Sequence, residues 1–292
     1  MKARLVASTL AILALTFGTP TLASRQVFRV GTNGVEVDVA VFDGNRPIAG
    51  LTQADFDVTD NGTRQVVIDA SIEQRPVDAT LVIDLSDSIT PSQLDDLTAA
   101  VKQVGNELRP DDRCRLLVFY ERVAERAPLG SWPIAIDLSR DSKSMVPSTS
   151  LFDAAALALM QPAAPGRRQL VVVLTDGEEN TSSIDGPSLL TAVRYSDAVV
   201  DLILTPARAF TNLHYAETLA ALTSRSGGRR VELGRRADIG PGLRASIDAM
   251  HRSYVVRYVL AGVPVQGWHD ITVKVPRSPR YTVRARQGYF GG

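Results

Sequence analysis

Valine occupies every second position from Val35 through Val37 and Val39 to Val41, with Glu36, Asp38 and Ala40 between. A period of two sends alternate side chains to opposite faces, so this stretch reads as a strand with one apolar face and one face carrying two carboxylates. Asp43-Gly44-Asn45 reads as a turn. Asp60-Asn61-Gly62-Thr63 reads as a hairpin, because Asn-Gly accepts the positive φ angles that a tight hairpin demands. Leu51 to Phe56 reads as a loop or a single helical turn. Residues 27–76 are therefore expected to form a small β segment, too small to be stable alone.

From residue 78 onward, continuous apolar runs alternate with helical periods. Asp78 to Asp84, Cys114 to Tyr120, Leu170 to Leu174 and Val199 to Leu204 read as buried strands. Thr90 caps a predicted helix, with Pro91 in its first turn and Gln93 closing a capping box. Further helical periods cover 151–160, 214–224 and 240–251. Buried strands separated by helices predict an α/β fold over residues 78–250, a doubly wound and mainly parallel sheet covered on both faces. Tyr254 to Leu260, Ile271 to Val275 and Tyr281 to Ala285 read as strands between Gly/Pro turns. Residues 253–286 are expected to pack with 27–76 as a small accessory β module. The sequence has no internal repeat and no low-complexity tract.

The first 23 residues follow a different logic. Lys2 and Arg4 precede an uncharged run from Leu5 to Gly18, then Thr19-Pro20-Thr21-Leu22-Ala23, the order of a secretory signal peptide with cleavage after Ala23 or Ser24. The apolar part is shorter than the roughly 20 residues of a comfortable membrane span. An uncleaved anchor is the other reading. No later segment is apolar enough to cross a bilayer, so the mature chain is expected to be secreted, or to reside in the periplasm or cell envelope.

Charge and cysteine usage narrow the classes further. Acidic and basic residues balance at 32 each, leaving no global field for nucleic acid or an anionic membrane. Arg225, Arg229, Arg230, Arg235 and Arg236 are interleaved with apolar and glycine residues and read as solvated surface. The single cysteine, Cys114, excludes an internal disulfide and reads as a small buried hydrophobe in a strand.

The candidate chemistry lies where the strands end. In "LVIDLSDSIT" an apolar run gives way to Asp84, Ser86 and Ser88; Asp176 ends another strand in "LTDGEEN"; Thr149 precedes a helix in "PSTSLFDAA". Ligands of open α/β sheets bind beyond the carboxyl ends of the strands. Two carboxylates and three hydroxyls, with no nitrogen or sulfur, suit a hard cation such as Mg²⁺. Ser88 alone could instead cap the following helix, but capping leaves Asp84, Thr149 and Asp176 unexplained. Glu178 and Glu179 read as solvated loop carboxylates, with a supporting role at the site as the alternative.

Asp84-x-Ser86-x-Ser88, followed by Thr149 and then Asp176-Gly177, is similar to the metal-ion-dependent adhesion site of von Willebrand factor type A domains, across residues 78 to about 248. "VEVDVAVFDGNRPIAGLTQADFDVTDNG" and the closing "YTVRARQGYF" extend the resemblance to the secreted, von Willebrand factor A-related proteins common in acidobacteria. The resemblance implies that the hydroxyls of Ser86, Ser88 and Thr149 ligate Mg²⁺ or Mn²⁺ directly. It also implies that Asp84 and Asp176 act through water and that a protein partner supplies an acidic side chain. Pro147-Ser148 stands where the family commonly has Gly-Gly, a departure expected to stiffen the loop and alter affinity. The implied function is a secreted, cation-dependent binding module for adhesion or scaffolding, and not an enzyme.

Two other readings stand beside it. A metal-dependent hydrolase is one. A phosphatase of the haloacid dehalogenase type places a second aspartate two residues after the first, where this chain has Ser86, a poor acid/base at neutral pH. The chain has no G-x-S-x-G elbow, and His214, His251 and His269 lack metal-ligand spacing. The other is a structural envelope protein with a vestigial metal site.

Overall fold

A computed structural model describes residues 34–86, 91–139, 148–205 and 213–292. The leader reading over 1–23, the start of the 27–76 segment, the Thr90 cap, Pro147 and Ser88 lie outside the described residues.

Along the chain, β1 (Gly34–Asp43), β2 (Arg46–Pro47), β3 (Asp57–Asp60) and β4 (Thr63–Ser71) come first. Then follow β5 (Val77–Asp84), α1 (Pro91–Lys102), β6 (Arg113–Phe119), β7 (Val123–Ser131) and α2 (Leu151–Leu159). The middle continues with β8 (Arg168–Thr175), α3 (Gly186–Arg194), β9 (Val199–Leu204), α4 (Leu213–Ser226), β10 (Arg230–Glu232) and α5 (Ile239–His251). The last elements are β11 (Tyr254–Val259), β12 (Gly267–Lys274), β13 (Tyr281–Ala285) and β14 (Gly288–Gly291).

These strands make two sheets. A six-stranded mixed sheet has the order β10-β9-β8-β5-β6-β7, parallel except for β7. All eight residues of β5 are buried, as a central strand with helices over both faces requires. Its Leu81 and Ile83 pack with Val101 of α1 and Leu243 and Ile247 of α5, while Val82 faces Ala155 of α2, Leu189 of α3 and Leu219 of α4. Cys114 lies in the first of these clusters, and burial pushes its thiol up to about 12, so it packs and does not react.

The second sheet has eight strands, all paired antiparallel, in the order β13-β1-β11-β4-β3-β12-β14, with β2 against β1. The valines of β1 are buried with Phe56, Val58, Tyr254, Val256 and Tyr258. Asn61 and Gly62, both at positive φ, turn β3 into β4. Within this sheet Asp60 is fully buried and accepts hydrogen bonds from Tyr258 Oη at 2.7 Å and Tyr289 Oη at 3.1 Å, and pairs with His269 Nδ1 at 2.7 Å. One carboxylate thus ties β3, β11, β12 and β14, and its burial is tolerable because those partners meet it.

The chain-level expectation of a doubly wound α/β fold with a small accessory β module is overturned. Among the described residues fourteen strands face five helices, and the larger sheet is the antiparallel one. The chain is mostly β. The cause is the half-polar character of antiparallel strands, which need an apolar neighbour on one face only. Thus β7 (VAERAPLGS), β10 (RVE) and β14 (GYFG) show no apolar run, and β12 begins at Gly267 within a stretch that resembles a turn.

The two sheets are joined by a buried guanidinium at the start of β8. Arg168 Nη1 donates to Met250 O at 2.8 Å, and its Nη2 donates to Ser253 Oγ and pairs with Asp38 Oδ1 of β1 at 2.8 Å. The polar face of β1 therefore does not simply meet water. At a second contact Gly227, with φ +83°, lies so close to β13 that an added Cβ would sit 2.6 Å from the Ala285 carbonyl carbon.

Removing one partner of a buried pair typically costs about 3–5 kcal/mol. Asp38 keeps some solvent contact, with its side chain 27% exposed, so a smaller loss applies here. Arg168→Ala is expected to lower unfolding stability by about 2–4 kcal/mol, and Asp38→Asn by about 1 kcal/mol. Urea unfolding of both variants checks this, and equal losses in the two would remove Arg168 from its central place.

Candidate metal centre

Parallel pairing brings the carboxyl ends of β5, β6 and β8 to one edge. Ile83 lies beside Leu174, and Asp84 beside Phe119. Leu85 N continues the ladder by donating to Phe119 O at 2.8 Å. Asp84 is buried at this edge: Thr175 Oγ1 donates to its Oδ2 at 2.6 Å, and Ser86 N to its Oδ1 at 2.8 Å. Gly177 N in turn donates to Thr175 Oγ1 at 3.0 Å, from a turn whose φ of +90° favours glycine.

Thr149 is buried and clipped on both sides. Its N donates to Asn180 Oδ1 at 2.8 Å, and its carbonyl accepts from Asn180 N at 3.1 Å and Thr181 N at 3.3 Å. The next residue, Ser150, spends both its N and its Oγ on Tyr120 O, at 2.7 and 2.8 Å. Thr149 thus hangs between the end of β6 and the loop after β8, the loop that also carries Asp176. Asp84, Ser86, Thr149 and Asp176 all sit at this one edge of the mixed sheet. Ser88 lies outside the described residues.

Glu179 is not a solvated loop carboxylate; it is 5% exposed. Its Oε2 accepts from Phe152 N at 2.8 Å and Ser182 Oγ at 2.6 Å, and its Oε1 from Ser182 N at 2.9 Å and Thr181 N at 3.1 Å. Because the Ser150 hydroxyl faces Tyr120, it does not cap α2. Glu179 supplies the missing acceptor from 27 residues away. Sequence reasoning gave this residue a supporting role only as an alternative and passed over Thr175 and Asn180. The only local signal was a polar run, Thr175 to Asn180, directly after a wholly apolar strand.

Burial pushes the Asp84 carboxyl up to about 6, and the nearby Asp176 carboxylate adds to the rise; hydrogen bonds from Thr175 and Ser86 offset part of it. No basic side chain is among those influences. Among the described residues no three carboxylate, imidazole or thiol side chains gather as a metal-holding group. Any cation here must therefore rely on the hydroxyls of Ser86 and Thr149 alongside the two aspartates. That all-oxygen set, with the Asp84 and Asp176 carboxylates close enough to influence each other, fits a hard divalent ion.

No protein-family model matches the chain, and no curated protein is similar to it by sequence. Solved structures do resemble it. Proximal thread matrix protein 1 from the mussel byssus, in a form with zinc occupying its MIDAS motif, is 15% identical with a TM-score of 0.50, over 64% of this chain and 48% of that one. A von Willebrand factor type A protein from Catenulispora acidiphila is 13% identical with a TM-score of 0.47, over 91% and 65%. BatB from Bacteroides thetaiotaomicron is 16% identical with a TM-score of 0.43, over 60% and 98%. The chain spans about half the length of the mussel protein. At such identity the likeness is one of fold alone. In fold, the chain resembles von Willebrand factor A-type domains.

Proposed function

We propose that Asp84, Ser86, Ser88, Thr149 and Asp176 hold a divalent cation, Mg²⁺ or Mn²⁺, and that the held ion captures an acidic side chain of a protein partner. The observation that supports this reading best is the buried Asp84, its carboxyl pushed up by burial first and by Asp176 second, with no basic side chain among the main influences on it. A divalent ion would supply that compensation. Two carboxylates balance its charge, and neutral hydroxyls leave it electrophilic toward a third carboxylate from outside. Zinc in the MIDAS motif of the mussel protein is consistent with the same donor pattern.

On this reading the chain is a binding module for adhesion or scaffolding and not a catalyst, and it works beyond the inner membrane. No helix among the described residues is long and apolar enough to cross a membrane.

Calorimetric titration with Mn²⁺ and Mg²⁺ tests the site. Asp84→Ala removes a balancing charge and is expected to weaken binding by more than tenfold, whereas Ser86→Ala removes a neutral ligand that water replaces in part. Affinity should also fall about tenfold per pH unit below about 6, where a proton competes for Asp84. Unchanged metal affinity in Asp84→Ala would reject the site. A partner drawn from the native envelope equally well in Mg²⁺ and in EDTA would keep the site and reject the capture mechanism.

The metal-free protein offers an independent check. In the folded state Asp84 is pushed up to about 6 from the ordinary value of 3.8, so the folded state binds the extra proton between those values. Stability is therefore fully present below about pH 4 and falls as pH rises toward 6, by about 2–3 kcal/mol in all. In EDTA, Asp84→Asn is expected to be more stable than the parent at pH 7.5 and no more stable at pH 4. Denaturant melts at both values read this directly, and a pH-independent difference would contradict the assignment.

A further inference from the structure

On the far side of the molecule from Asp84, where α3 and α4 end beside β12 and β14, lies a groove of about 300 Å³. That volume is at the lower limit of small-molecule sites, about 300 Å³. Its walls carry Arg194, Arg225, Trp268, Asp270 and Gln287. Arg194 is the last residue of α3, and its guanidinium carbon lies 4.1 Å from the centre of the Trp268 ring and 5.5 Å from that of Phe290. Stacking holds a guanidinium flat through its face and leaves the N–H donors at its edge for other partners. The stack is itself braced: Trp268 meets Phe290 at 5.1 Å, and Phe290 stacks on Tyr195 at 4.6 Å.

Neither Arg194 nor Arg225 has an acidic partner among the described residues. The nearby acids are engaged elsewhere: Asp197 with Arg286, and Asp270 with Trp268 Nε1 at 2.7 Å. A cation in the last turn of a helix is favoured by the helix dipole, and both arginines occupy such turns. That effect accounts for their sign. It does not account for an open groove between two guanidiniums, one of them fixed by an aromatic stack.

We propose that this groove binds an oxyanion, the phosphate or carboxylate group of a small ligand, held between the donors of Arg194 and Arg225. Guanidiniums recognise such groups through paired hydrogen bonds. The side-chain amide of Gln287, whose backbone N–H is spent on Arg225 O at 3.0 Å, is a neutral donor on the wall of the same groove. Asp270 adds a restriction, because its carboxylate disfavours a ligand with negative charge at both ends. The site lies apart from Asp84 and requires no divalent ion.

Indole Nε1–H resonances provide the test, because the chain has two tryptophans, Trp132 and Trp268, and only the second lines the groove. The full chain in EDTA would be titrated with inorganic phosphate and with acetate, up to about 50 mM at low salt, a range that reaches Kd values well above 1 mM. A saturable shift of the Trp268 signal, with Trp132 unmoved, is the expected result. Saturation by phosphate alone points to a phosphate-bearing ligand, by acetate alone to a carboxylate ligand, and by both to general oxyanion recognition; each supports the proposal. Arg225→Gln, at an exposed position, is expected to weaken binding about tenfold without disturbing the fold, and Arg194→Gln by at least as much. Absence of a saturable shift with either probe, or full binding in Arg225→Gln and Arg194→Gln alike, overturns it. Asp84→Ala should bind the probes as the parent does, so this result stands or falls separately from the metal site.

Discussion

The arrangement of the molecule depends on a guanidinium without access to water. Arg168 opens β8 and reaches β1 through Asp38 and the α5–β11 join through Met250 and Ser253. A charge so buried is sustained only by the partners on both sides, so each sheet supplies part of what the other needs. The same strand ends, seven residues later, at Thr175, which holds Asp84. At about 3.3 Å per residue, β8 separates the join from the candidate metal edge by about 23 Å. The antiparallel sheet therefore anchors one end of the mixed sheet and leaves the other end clear.

At that clear end, among the described residues, two acids stand close together. Backbone donors and hydroxyls satisfy the geometry of Asp84, Thr149 and Glu179, yet Asp84 and Asp176 remain two acids in range of each other. Glu179 shows the contrast. It is equally buried, but four hydrogen bonds and a helix N-terminus surround it, so its place is structural. The difference between these acids lies in what remains for a ligand to do.

Local pattern carried part of this into the sequence. The valines of β1 alternate as a strand with one buried face must, and Asn61-Gly62 takes the positive φ that its dipeptide favours. The run ending at Asp84 reads as a buried strand because every residue in it is buried. What escaped were features made by distant residues. Nothing near Glu179 announces that it caps a helix through a residue 27 positions earlier, and nothing in β7 or β14 separates a half-polar strand from a loop. The balance between the two sheets was misjudged for the same reason. Antiparallel strands hide their polarity in pairing, which a single sequence does not display.

The order of the strands also sets a clock. β1 pairs with β11 and β13, and Tyr254 bonds Ile48 across 206 residues of chain. The six-stranded sheet is contiguous from Val77 to Glu232 and needs nothing that comes later to complete its pairing. The antiparallel sheet has to wait until β14 has emerged, because Asp60 on β3 takes a donor from Tyr289. During synthesis, then, the β1–β4 segment spends the whole emergence of the middle domain with its strand edges open. A chain built in this order benefits from being held unfolded until β14 is available.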